Sequence, residues 1–267
     1  VVCAFSCSII TLEYCRTRNY ILNSLGLNTK TSSRRWACIY LKSIRSRQGD
    51  IGGEVAKVTE IILARHGETE WNVGEIFRGR IDIELNEAGL RQAQLLAGYL
   101  SGVNIDTIYS SPLRRALKTA EVIASYHRLN IEIAPSLIDF DYGKWQGLAH
   151  QEVKDKYKEL YAEWINNPHL MKMPIGESLG EVRERAKGVV DNIVARQEGT
   201  VVLVSHRVVN KVLICALLGL DDSHFWNIRL DTCGITTFTY ENGRFILIEH
   251  NNTSYLKHLP KPLLSDF

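Results

Sequence analysis

Glu60-Ile61-Ile62-Leu63-Ala64-Arg65-His66-Gly67-Glu68-Thr69-Glu70-Trp71-Asn72 is the stretch on which the reading of the fold turns. Its apolar run, Ile61 to Ala64, reads as a buried strand. The run stops abruptly at Arg65-His66-Gly67. A cation, an imidazole and a glycine thus fall just past a strand's carboxyl end, where α/β sheets form ligand sites. Arginine can grip phosphate oxygens bidentately, and an imidazole can attack phosphorus. The two suit phosphoryl transfer, provided that the rest of the chain supplies the missing parts.

Downstream, strand and helix patterns alternate. Asn86 caps a helix with Glu87 in its first turn and an apolar stripe of Leu90, Ala93, Leu96, Ala97 and Leu100. Ser101-Gly102 ends it. Ile105–Tyr109 reads as a second strand. Pro112 suits the first position of a helix running to about Tyr126. Ile131–Ala134 is a short strand, and residues 137–178 are irregular, with one helix expected over about 151–165. Ser178 and Glu181 form a capping box for a helix to about Gln197. Thr200–Val204, rich in β-branched residues, reads as a central parallel strand ending in Ser205-His206-Arg207, with a helix after it to Gly219. Two alternating segments, 234–240 and 244–248, flank Asn242-Gly243, a strong hairpin signal. The order predicts a three-layer α/β/α fold with a mainly parallel central sheet, an antiparallel edge hairpin and a small irregular, partly helical cap insertion.

Composition narrows the class. Of the 267 residues 45% are hydrophobic and 23% charged, ordinary values for a globular chain with a sizeable core. No apolar run approaches the roughly 18 residues that span a bilayer, so no membrane helix is expected. Residues 1–57 carry 9 Lys/Arg against 3 Asp/Glu, net +6, whereas residues 58–267 carry 23 against 27, net −4. The acidic globular part argues against nucleic acid as a partner. Six cysteines without a CxxC pair fit a reduced, cytoplasmic setting, and no Cys precedes an Arg by six positions, which removes thiolate phosphatase chemistry. The eight histidines lack metal spacing, so neither a metal nor another cofactor is expected.

The first 57 residues form a separate basic, Ser- and Arg-rich extension. No Met precedes Met171. The extension reads as a translated leader, with initiation near Val55 or Val58; on composition a transit peptide is the alternative.

Arg65-His66-Gly67-Glu68-Thr69 with Asn72, Ser111-Pro112-Leu113-Arg114-Arg115-Ala116 with Thr119-Ala120, Asp141-Tyr142-Gly143 with Trp145 and Gly147, Gly176-Glu177-Ser178, and Ser205-His206 stand in order along the chain. In this, the chain resembles the histidine phosphatase superfamily, and within it the short phosphatase-type branch of the phosphoglycerate mutase-like group. The similarity covers nearly all of residues 58–255 as one catalytic domain, leaving 256–267 as a tail. The resemblance implies that His66 is the nucleophile and forms phosphohistidine, its other ring nitrogen donating to a fixed acceptor. Arg65, Arg115 and His206 would surround the phosphoryl oxygens, with Gly67, Thr69, Asn72, Glu177 and Arg207 as further substrate contacts. Arg114 would be a solvated neighbour.

Two positions depart from the family pattern. The proton donor, usually Glu, is Asp139, one methylene shorter, with Asp141 as a nearby competitor. Arg207 replaces a common Gly, and either strengthens the anion pocket or pairs with a carboxylate. Alone, each of these residues has a plain structural reading: His66 and His206 as turn residues, Arg115 as an exposed helix charge, Glu177 as a helix-start carboxylate. Trp145, Tyr157, Tyr161 and Trp164 read as packing for the irregular region.

The implied activity is hydrolysis of phosphate monoesters of small metabolites, and a homodimer is compatible with it. Mutases of the group carry a longer insertion than residues 144–178 provide, which favours the hydrolase. A mutase and a non-catalytic phospho-ligand binding module are the alternatives.

Overall fold

The apolar runs form the strands of one six-stranded sheet. The computed structural model describes residues 58–196 and 199–259; the readings made for residues 1–57 and for the end of the tail lie outside the described residues. Strands β1 (Thr59–Arg65), β2 (Thr107–Ser110), β3 (Ile131–Ile133), β4 (Gly199–Ser205), β5 (Ile235–Glu241) and β6 (Arg244–Asn252) lie in the order β3-β2-β4-β1-β5-β6. The first four are parallel, and β5 and β6 add the antiparallel edge.

Alternation along the central strands divides the core in two. Ile61, Leu63, Val201 and Leu203 face one side, while Ile62, Ala64, Val202 and Val204 face the other. The second side is covered by α2 (Glu87–Leu100) and α3 (Arg114–His127), through Ala93, Leu96, Leu100, Ala116, Ala120 and Ile123. The first is covered by α6 (Leu179–Arg196) and α7 (Arg207–Leu217). This is the expected α/β/α sandwich.

Local signals hold at most joints. Asn86 Oδ1 accepts from Gly89 N at 2.8 Å, and Ser178 and Glu181 form their capping box. Asn242 and Gly243 both have positive φ, as a type I′ hairpin turn requires. Two expectations are corrected. Pro112 is not in a helix, because Leu113 is extended and α3 begins at Arg114. The single helix over 151–165 is two, α4 (His150–Lys156) and α5 (Lys158–Asn166), broken at Tyr157. The break lets Tyr157 and Tyr161 both face Trp145, with ring centroids 6.2 and 6.4 Å away. Trp145 and Trp164 are buried with Phe77, Phe140 and Tyr142, so aromatic packing fixes the irregular cap.

Candidate active site

The parallel strands end on one edge, and backbone hydrogen bonds continue past them. His66 N donates to Ser205 O at 3.0 Å, and Ser111 N to Val204 O at 3.0 Å. Residues that follow three strands are thereby drawn together. The short helix α1 (Glu70–Val73) follows β1, capped by Thr69. A close approach fixes the turn between them: a Cβ on Gly67 would fall 2.5 Å from Gly89 O in the first turn of α2. Gly67 N also donates to Thr119 Oγ1 at 3.1 Å, which binds the turn to α3.

His66 is buried, and its Nδ1 lies 2.6 Å from Gly67 O. A carbonyl only accepts, so Nδ1 carries the proton and Nε2 keeps its lone pair. The rings of His66 and His206 are 5.2 Å apart. His206 Nε2 contacts Ser111 Oγ at 2.7 Å, and its Nδ1 lies 3.5 Å from Asp139 Oδ2. Burial foremost, then Arg115, His206, Arg65 and Arg78, pushes the His66 pKa well below the ordinary histidine value. Burial, Arg115, Arg78, Arg185 and Arg65 do the same to His206. Both rings are therefore neutral at neutral pH.

Arg115 is wholly buried and donates through Nη2 to Asp139 Oδ2 at 2.8 Å and to Gly79 O at 2.7 Å. Its Nη1 donates to Ile81 O at 3.0 Å, while its Nε is buried without a partner. Arg65, also buried, donates to Leu230 O. Asp139, one methylene shorter than Glu, still reaches both Arg115 and His206. Asp141 turns elsewhere, to Gly143 N at 2.9 Å and Arg80 at 3.3 Å. Arg114 is exposed and paired with Asp82 and Glu84.

The remaining expected contacts divide. Asn72 Oδ1 accepts from Thr69 N at 3.0 Å and Thr69 Oγ1 at 2.9 Å, so Thr69 orients Asn72. Arg207 is buried and hydrogen-bonds the Tyr142 side chain. Glu177 lies in a different arrangement. It accepts from Arg185 Nε and Nη2, both at 3.0 Å, from Arg80 Nη2 at 2.7 Å and from Asp141 N at 3.1 Å. Arg185 also donates to Ser136 O at 2.6 Å, Ile138 O at 2.7 Å and Asp139 O at 3.3 Å. Glu177 and the two arginines thus bracket the loop that presents Asp139.

Sequence reasoning gave no role to Arg78, Arg80 or Arg185, and only quoted Ser111. Arg78 and Arg80 flank Gly79 in a loop without periodicity, so only the pattern of two arginines around a glycine marked them. Among the described residues no group of His, Cys, Asp and Glu is placed to hold a metal ion. Burial pushes the Cys215 thiol up to about 11, and Cys233 is likewise raised, so neither is a thiolate at neutral pH. No helix among the described residues is long and apolar enough to cross a membrane.

This fold and site define a class of α/β proteins that gather two histidines and buried arginines at the carboxyl edge of a parallel sheet. Comparison gives the particular family: the profile of the histidine phosphatase superfamily (branch 1) matches residues 61–253, and the chain belongs to that superfamily. Phosphoserine phosphatase 1 of Hydrogenobacter thermophilus is 38% identical over 200 residues, 74% of this chain and 95% of that protein. Among solved structures, Bacillus stearothermophilus YhfR matches with a TM-score of 0.72 at 32% identity, over 74% of this chain and 100% of its own. The Entamoeba histolytica phosphoserine phosphatase in complex with 3-phosphoglyceric acid matches with a TM-score of 0.66 at 33% identity, over 74% of this chain and 99% of its own.

Proposed function

We propose that the protein hydrolyses phosphate monoesters of small metabolites in two steps, through a phosphohistidine on His66. The observation that carries this reading is the His66 ring, with Nδ1 committed to the Gly67 carbonyl and Nε2 left as a nucleophile beside His206 and Arg115. In the first step the Nε2 lone pair forms the N–P bond while the ester P–O bond breaks. The departing oxygen takes the bonding electrons and a proton from Asp139. In the second step the Asp139 carboxylate takes a proton from water. The water oxygen attacks phosphorus, the P–N bond breaks, and phosphate leaves. Arg65, Arg115 and His206 face the charge spread over the phosphoryl oxygens, with the Asn72 amide as a neutral donor.

Relatives named for phosphoserine, or holding 3-phosphoglyceric acid, make phosphorylated amino and hydroxy acids the first substrates to test. The experiment is phosphate release from these esters and from an aryl phosphate, without a bisphosphate primer. Wild type should release phosphate, and His66→Ala should lose release by on the order of 10⁵-fold. Isomerised ester without free phosphate would instead identify a mutase. Saturable binding with no turnover would identify a binding module.

A further inference from the structure

Lys211 lies on α7, five residues past His206, and is only 1% exposed. The two-step reaction gives it no part. Its Nζ lies 4.9 Å from the ring centroid of Trp226 and 5.0 Å from that of Phe225, both in the 3₁₀ segment Asp222–Asn227. At these distances the faces of aromatic rings attract an ammonium. Burying a cation is costly, and apolar residues of similar volume often fill such a space at least as stably. Stability alone does not explain a lysine here. A cation over two rings also fixes how those rings are turned.

The rings lead to the proton donor. Phe225 and Trp226 meet edge to face with centroids 4.8 Å apart, and they pack on Trp164 of α5 at 5.5 and 5.6 Å. Trp226 Nε1 also donates to Trp164 O at 3.0 Å. Trp164 in turn stacks on Phe140, with centroids 5.6 Å apart and planes inclined by 16°. Phe140 follows Asp139 in the chain, and its N donates to Asp139 Oδ1 at 2.8 Å. Glu177 and its arginines hold the backbone of this loop, whereas the aromatic series holds the Phe140 ring.

At its other end the series is anchored, through Lys211, to the helix that starts directly after His206. His206 Nδ1 lies 3.5 Å from Asp139 Oδ2, so the series joins the two sides of that contact. We infer that Lys211 is a positioning residue: through Phe225, Trp226, Trp164 and Phe140 it sets where the Asp139 carboxyl stands relative to His206 and the departing oxygen. The inference rests on the proton-donor role given to Asp139 above and adds what holds that donor in place.

The readout is a ratio of kcat/KM values. Its numerator is an alkyl phosphate that needs the acid, the faster turned over of O-phosphoserine and 3-phosphoglycerate. Its denominator is 4-nitrophenyl phosphate, whose leaving group needs little protonation. Lys211→Met keeps an unbranched side chain without the charge and should lower the ratio ~10- to 100-fold, as when a catalytic group is displaced by about 1 Å. Lys211→Arg, which keeps a cation over the rings, should restore most of it. Trp226→Phe, which removes the hydrogen bond to Trp164, should also lower the ratio and carries the test if the methionine variant misfolds. In an Asp139→Asn background, Lys211→Met should leave the ratio where Asp139→Asn puts it. An equal fall on both esters, an unchanged ratio, no recovery with arginine, or a second full drop in the Asp139→Asn background would overturn the inference. Failure of the underlying reading looks different: wild type releases phosphate from no ester, or Asp139→Asn itself leaves the ratio unchanged, and the inference falls with it.

Discussion

Two groups of arginines lie side by side in this molecule, and their surroundings differ. Around Glu177, Arg80 and Arg185 are met by carboxylates, and Arg185 spends its remaining donors on the carbonyls of the 136–139 loop. Around His66, Arg115 is wholly buried against Asp139, Arg65 is buried and donates to Leu230 O, and Arg78 is half-buried. Carboxylates shared between arginines make a rigid bracket, whereas the arginines around His66 lie beside two neutral imidazoles. The bracket holds Asp139, and Asp139 faces Arg115 and His206, so each group depends on the other.

The largest effect expected from disturbing this arrangement is at Asp139. Asp139→Asn keeps an acceptor for Arg115 but removes the acid. Turnover of alkyl phosphates such as phosphoserine should fall about 10²- to 10⁴-fold. Turnover of 4-nitrophenyl phosphate should fall far less, because that leaving group needs little protonation. Steady-state kcat on the two esters reads the difference. An equal loss on both would remove Asp139 from the proton-transfer step.

A smaller effect is expected in the bracket. Glu177→Gln leaves Arg80 and Arg185 facing each other without the charge that joins them. Discounted for partial exposure, stability should fall by about 2 kcal/mol. Denaturant unfolding of both proteins at matched ionic strength measures it. Unchanged unfolding would mean that neutral hydrogen bonds alone hold the loop, and the contrast between the two groups would lose its basis.

Much of this was legible in the chain because strand ends are legible. The run Ile61–Ala64 stopping at Arg65-His66, and Thr200–Val204 stopping at Ser205-His206, fix two corners of the site, since parallel strands share one edge. Asn242-Gly243 and the Ser178–Glu181 box marked their joints because each has a local geometric cause. The break at Tyr157 was not legible, because Trp145, distant along the chain, draws the two tyrosines onto one face. Nor were the partners of Glu177 legible. A glutamate before a capped helix signals a helix start, and only folding brings Arg80, far upstream in sequence, to within 2.7 Å of it. Arg78 escaped notice because the loop around it has no period.

The most direct measurement follows the phosphoryl group itself. Enzyme saturated with a rapidly hydrolysed ester is quenched into alkali, digested and mapped by mass spectrometry. The account predicts an alkali-stable, acid-labile phosphoryl group on the peptide containing His66, absent from His66→Ala. A label on His206 or on a serine, or continued phosphate release with no trapped adduct under any quench, would contradict it.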